Sequence, residues 1–177
     1  MRLVPDLGRL GLVALVKDHF STLYKFDSDG SKRISWSDVF VFVVIPLALL
    51  LASLCYGVRI RGLEAIIGGV AVITGLLFGL LIHVFSLGVQ FRTGGQFRPD
   101  GDVAILLEEL RANVAYACGV GVVLTTVLAA AAALTKTVAD GVNRPTSAIV
   151  VMLFAHLALT LFMIIKRVRS AYIALAV

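Results

Sequence analysis

Acidic residues are scarce in this 177-residue chain, eleven Asp and Glu against sixteen Lys and Arg, and none lies in the middle of an apolar run. Proton-coupled carriers generally need an ionisable carboxylate at membrane depth, so the shortage argues against that class. Cysteine is limited to Cys55 and Cys118, both inside apolar stretches, where a small polarizable side chain packs well and a disulfide is not expected. No cluster of nucleophile, acid and base appears, and no G-x-x-x-x-G-K-[ST] phosphate loop. With no active-site constellation to recognise, an enzyme is not expected.

Apolar length is what the chain has in abundance. Four runs, at about 39–58, 63–91, 112–134 and 146–165, carry almost no charge between their ends, and the mean hydropathy is +0.98. Only 15% of residues are charged, against about 25% in soluble domains. A helix needs about 20 apolar residues to cross a hydrocarbon core roughly 30 Å thick, and each run reaches that length. Lipid offers the backbone no hydrogen-bond partners, so only helices or closed barrels can span it. The run Leu47-Ala48-Leu49-Leu50-Leu51-Ala52 lacks the alternation of a barrel strand. The expected fold is therefore all-α, an integral membrane four-helix bundle over 38–177, preceded by a cytoplasmic amphipathic helix and turn over 1–37. The first run is expected to stay in the mature protein, since about 38 residues precede it and Arg59 and Arg61 follow it.

Twelve basic residues fall on the side of the N-terminal segment, the central loop and the C-terminus, against four in the first and third short loops. Basic residues are retained on the cytoplasmic side, which puts both termini in the cytoplasm. The Ala, Val, Leu and Gly bias suggests a bacterial inner membrane.

Ahead of the first run, Leu10, Val13, Val16, Phe20 and Leu23 recur at three- and four-residue spacing, the pattern of an amphipathic helix. Its basic residues Arg9, Lys17 and Lys25 can meet anionic headgroups at the bilayer surface; packing against its own bundle or a neighbouring subunit is the equal alternative. His19 reads as a surface residue. The stretch from Asp27 to Asp38 resembles an EF-hand calcium loop, with Asp27, Asp29, Ser31 and Asp38 as candidate calcium ligands. Lys32 stands where such loops need glycine, and Asp38 is shorter than the usual Glu. Ser35 and Asp38 equally form a helix capping box, with Asp29-Gly30 a turn between two helices.

In the second run Gly68, Ala71, Gly75 and Gly79 form a small-residue stripe containing a G-x-x-x-G motif, which permits close approach of helices within or between subunits. Pro46 can kink the first run. A helix is expected from about Val103 to Leu134, longer than the membrane, with Glu108, Glu109 and Arg111 protruding. The polar residues at membrane depth are His83 and His156, with Thr160 one turn after the latter, and Asn113 and Tyr116 near one end of the third run. Either the two histidines face one another or line a watery path, or they make structural hydrogen bonds between helices.

The segments Val16-Lys17-Asp18-His19-Phe20, Ile34-Ser35-Trp36-Ser37-Asp38, Glu109-Leu110-Arg111-Ala112-Asn113 and Lys166-Arg167, taken with the layout, resemble small four-span bacterial membrane proteins, some of which look like membrane effectors of anti-phage systems. That resemblance implies a protein that permeabilises or depolarises the membrane on a signal. The reading from the residues is a homo-oligomeric, channel-like membrane protein. A non-conducting scaffold or adaptor, with the basic amphipathic segment and the acidic Glu108 and Glu109 recruiting a cytoplasmic protein at the membrane surface, is the alternative, and a small transporter subunit the third. The bilayer is its expected partner, nucleic acid is not, and calcium is the sole cofactor considered.

Overall fold

The computed structural model of the chain describes residues 12–22, 24–26, 32–34, 36–93, 102–134 and 141–175. Five helices make up nearly all of it: α1 (Leu12–Ser21), α2 (Trp36–Cys55), α3 (Leu63–Thr93), α4 (Asp102–Leu134) and α5 (Arg144–Leu175). Between α1 and α2 sits a small antiparallel ribbon, β1 (Tyr24–Phe26) paired with β2 (Lys32–Ile34), in the register Lys25 opposite Arg33. A simple turn between two helices was expected here. Of the expected calcium ligands, Asp27, Asp29 and Ser31 lie outside the described residues, and Asp38 falls in the first turn of α2. The capping residue Ser35 also lies outside them.

By length and composition α3, α4 and α5 can each cross a membrane, and α2 is apolar over the shorter stretch Val39–Cys55. At 1.5 Å per residue the 33 residues of α4 extend about 50 Å, well beyond a hydrocarbon core. The outside of the bundle is as apolar as its inside: Leu76, Ile82 and Phe162 are 71%, 67% and 70% exposed. In water such a surface would aggregate; in lipid it is the surface expected. The chain is a helical membrane protein.

The four apolar helices follow one another in the order α3, α4, α5, α2, and α1 packs along α4. Among the described residues no extensive contact closes the ring between α3 and α2. The core therefore centres on α4, where Val114, Ala117, Leu124 and Leu128 are buried against Val70, Leu77 and Val84 of α3 and Val150, Leu157 and Ile164 of α5. Gly121 is the point of closest approach in that seam. A Cβ there would strike the hydroxyl and methyl of Thr74 on α3. Gly121→Ala is expected to cost about 1–3 kcal/mol through overpacking, and Thr74→Ala in the same chain to restore much of it; equilibrium unfolding in mixed micelles measures both.

The first run ends at Cys55, short of the expected 58, because its C-terminus is capped. Gly57 takes φ +65° and donates to the Leu54 carbonyl while Val58 donates to Ser53, the Schellman arrangement that satisfies the last carbonyls of a helix. The loops at this end clasp each other. Val142 N–H donates to the Ile60 carbonyl, Ile60 N–H donates to the Ser147 hydroxyl, and Asn143 caps α5 by accepting from Thr146 N–H.

Candidate functional site

At the other end of the bundle α1 lies against α4, and the side of α1 that faces inward was not the one expected. Val13 is 76% exposed and Val16 44%, whereas His19 and Thr22 are buried, and Leu15 packs by Gly119. The register, Thr22 near Asn113 and Leu15 near Gly119, means α1 runs antiparallel to α4 and packs on its own bundle. His19, expected on the surface, has no exposed area.

The hydrogen bonds around His19 fix its protonation. Asn113 Nδ2 donates to the Glu109 carbonyl at 2.8 Å, which turns Asn113 Oδ1 toward α1. That oxygen accepts, so His19 Nδ1, 2.8 Å away, must carry the hydrogen. The Thr22 hydroxyl lies 2.7 Å from the His19 carbonyl and 3.1 Å from the same Asn113 oxygen. In the neutral imidazole His19 Nε2 is then a lone pair, and it has no hydrogen-bond partner among the described residues. The ring stacks flat on Tyr116, centroids 3.9 Å apart and planes 8° from parallel, with Phe20 and Phe42 edge-on. Burial holds the His19 imidazole down to about 4; the Asn113 hydrogen bond works against this, and the nearby His156 and Arg167 add to it.

His156 completes the cluster for a reason that lies in α2. Proline lacks an N–H, so Pro46 leaves the carbonyl four residues earlier, that of Phe42, without its helical partner. His156 Nδ1–H supplies the missing donor at 3.2 Å, and the Tyr116 hydroxyl donates to His156 Nε2 at 2.7 Å. In lipid a freed carbonyl must be satisfied by a neighbouring helix, and α2 continues unbroken through Pro46. Thr160 is fully buried and bonds back to the His156 carbonyl at 2.9 Å.

An ion pair seals this end of the bundle. Arg167 on α5 pairs with Glu109 on α4 and also donates to the Thr22 carbonyl at the end of α1, 2.6 Å away. Glu109 was expected to protrude beside Glu108; only Glu108 does, paired with Arg111 at 2.6 Å.

Of the five polar residues singled out in the sequence, four therefore meet: Asn113, Tyr116, His156 and Thr160. His83 does not join them. It lies exposed on α3, separated from α5 by α4, so the two histidines do not face each other. The small-residue stripe faces the same way as His83: a Cβ at Gly68, Gly75 or Gly79 would meet nothing within 4 Å, and Ala71 is exposed. Sequence reasoning missed His19, Thr22, Phe42 and the Glu109–Arg167 pair. Pro46 was the available signal for Phe42, since it announces a carbonyl in need of a donor.

Among the described residues no three His, Cys, Asp or Glu gather where they could hold a metal ion. Compared with known proteins, the chain matches no family model, no curated protein and no solved structure. The fold and site define its class, a helical membrane protein whose polar cluster bonds one helix onto the bundle.

Proposed function

We propose that the chain is the subunit of a homo-oligomeric, channel-like protein of a bacterial inner membrane, with both termini cytoplasmic. The observation that carries this reading is the outward face of α3. Gly68, Gly75, Gly79, His83 and Ser86 lie along it, open and partly polar, on a helix that borders lipid. Small residues let a second helix approach closely, and a histidine there gains a hydrogen-bond partner it lacks in hydrocarbon. The unclosed row of helices leaves both α3 and α2 free to meet another copy. Between copies, His83 and Ser86 would be the polar groups of a largely apolar path, of the kind that gates by dewetting. Anti-phage permeabilisation on a signal fits this reading through the resemblance noted above.

The test is mass and flux together. In detergent and in nanodiscs the wild-type chain is expected to run as an oligomer and to pass ions in liposomes. Gly75→Leu with Gly79→Leu is expected to give a monomer that no longer conducts, with no loss of subunit stability, because both side chains enter open space. A monomeric, non-conducting wild type sinks the proposal. It would favour a membrane scaffold, for which the exposed Val13 and Val16 of α1, flanking Lys17, offer a docking face.

A further inference from the structure

The docking of α1 rests on a histidine that must stay neutral. His19 already donates through Nδ1, so Nε2 is the one atom of the ring able to take a proton, and it is buried without a partner among the described residues. A proton there creates a donor with nothing to accept it. The groups facing the ring offer no relief. From α4, Tyr116 presents its ring face and gives its hydroxyl proton to His156, Asn113 already accepts from Nδ1, and Glu109 is committed to Arg167. From α5 come His156, whose two nitrogens are both engaged, and the Arg167 cation; from α2, the uncharged Phe42. On α1 itself Lys17 and Asp18 are exposed. Protonation would set an unsatisfied cation beside a guanidinium inside the bundle.

We propose that His19 is a proton-binding site whose occupation releases α1, so that the docked helix is a clamp on the bundle that opens on acidification. This holds whether or not subunits assemble. The sign follows from linkage. The docked state keeps His19 neutral down to about 4, whereas the released helix exposes a histidine of the ordinary value, 6.5. Docking is fully stable above 6.5 and weakens as pH falls from there toward 4. Between pH 7.5 and pH 5 the ratio of released to docked α1 should rise about 30-fold.

The experiment uses the full chain in nanodiscs, with Cys55→Ser and Cys118→Ala, and spin labels at Lys17→Cys on α1 and Val122→Cys, an exposed position at about the same level of α4. A second pair, Ile105→Cys and Arg169→Cys, monitors the bundle. The expected result is a short, narrow distance for the first pair at pH 7.5 that becomes long and broad at pH 5, while the second pair is unchanged. His19→Gln, which cannot take the proton, should keep the short distance at both pH values. An α1 distance insensitive to pH, or a shift that persists in His19→Gln, overturns the proposal. Should His19→Gln release α1 at both pH values, nitrogen NMR of the wild-type imidazoles decides. His19 must then hold its hydrogen on Nδ1 at pH 7.5 and titrate well below 6.5, and an ordinary titration overturns the proposal.

Discussion

His156→Leu is expected to destabilise the protein by about 2–3 kcal/mol, and Pro46→Ala in the same chain to return about 1 kcal/mol of that. The substitution removes both partners of the imidazole. It strands the Phe42 carbonyl, to which Nδ1 donates, and the Tyr116 hydroxyl, which donates to Nε2. A buried polar group left unsatisfied costs about 1–3 kcal/mol, though the hydroxyl can rotate toward another acceptor. Alanine at 46 restores the N–H that proline lacks, so the Phe42 carbonyl is satisfied within α2 and no longer depends on α5. The double-mutant cycle therefore isolates the carbonyl. It is measured by reversible unfolding in mixed micelles. Equal costs of His156→Leu in the two backgrounds would show that the histidine does not serve the proline. Tyr116→Phe, which keeps the stack on His19, should cost less than His156→Leu.

The second large effect concerns the ion pair. Glu109→Gln should cost about 2–4 kcal/mol, because the guanidinium of Arg167, whose side chain is only 14% exposed, keeps its charge and loses the Glu109 carboxylate beside it. The joint change Glu109→Leu and Arg167→Met should recover most of that stability, as apolar replacement of buried pairs often does. It should not recover the docking of α1, since the Thr22 carbonyl loses its donor. Bundle stability and α1 docking are thus separable, the first by unfolding and the second by the rate of tryptic cleavage at Lys17. A Glu109→Gln protein within 0.5 kcal/mol of wild type would refute the energetic account. Equal Lys17 cleavage in the wild type and the joint variant would refute the role of Arg167 in holding α1.

Some of the site was legible before the structure, and its limits have physical causes. Asn113, Tyr116, His156 and Thr160 stand out as polar residues at apolar depth, where desolvation makes any polar group conspicuous. What each bonds to was hidden, because the partners are backbone atoms or lie on distant segments: Phe42 O for His156, His19 for Asn113. α1 carries two competing stripes, one through Val13 and Val16 and one through Leu15, His19 and Thr22. Hydrophobicity favours the first. The second faces inward because Asn113 and Arg167 offer it polar partners, a preference no local pattern contains. The glycine stripe of α3 was equally ambiguous until α4 was seen packing through Gly121 and Thr74, which leaves Gly75 and Gly79 on the open side.

Sequence alone determined that the chain is helical, that it belongs in a membrane, and nearly where each helix runs, because the cost of unpaired backbone and charge in hydrocarbon is large and purely local. Only the tertiary structure decided which side of each helix faces its neighbours. Lipid tails are as apolar as leucine, so inward and outward faces of a span carry no contrast in hydrophobicity. The choice falls to close packing at Gly121 and to a few polar groups, His19, Asn113, Tyr116, His156 and Arg167, whose partners exist only once the helices have met.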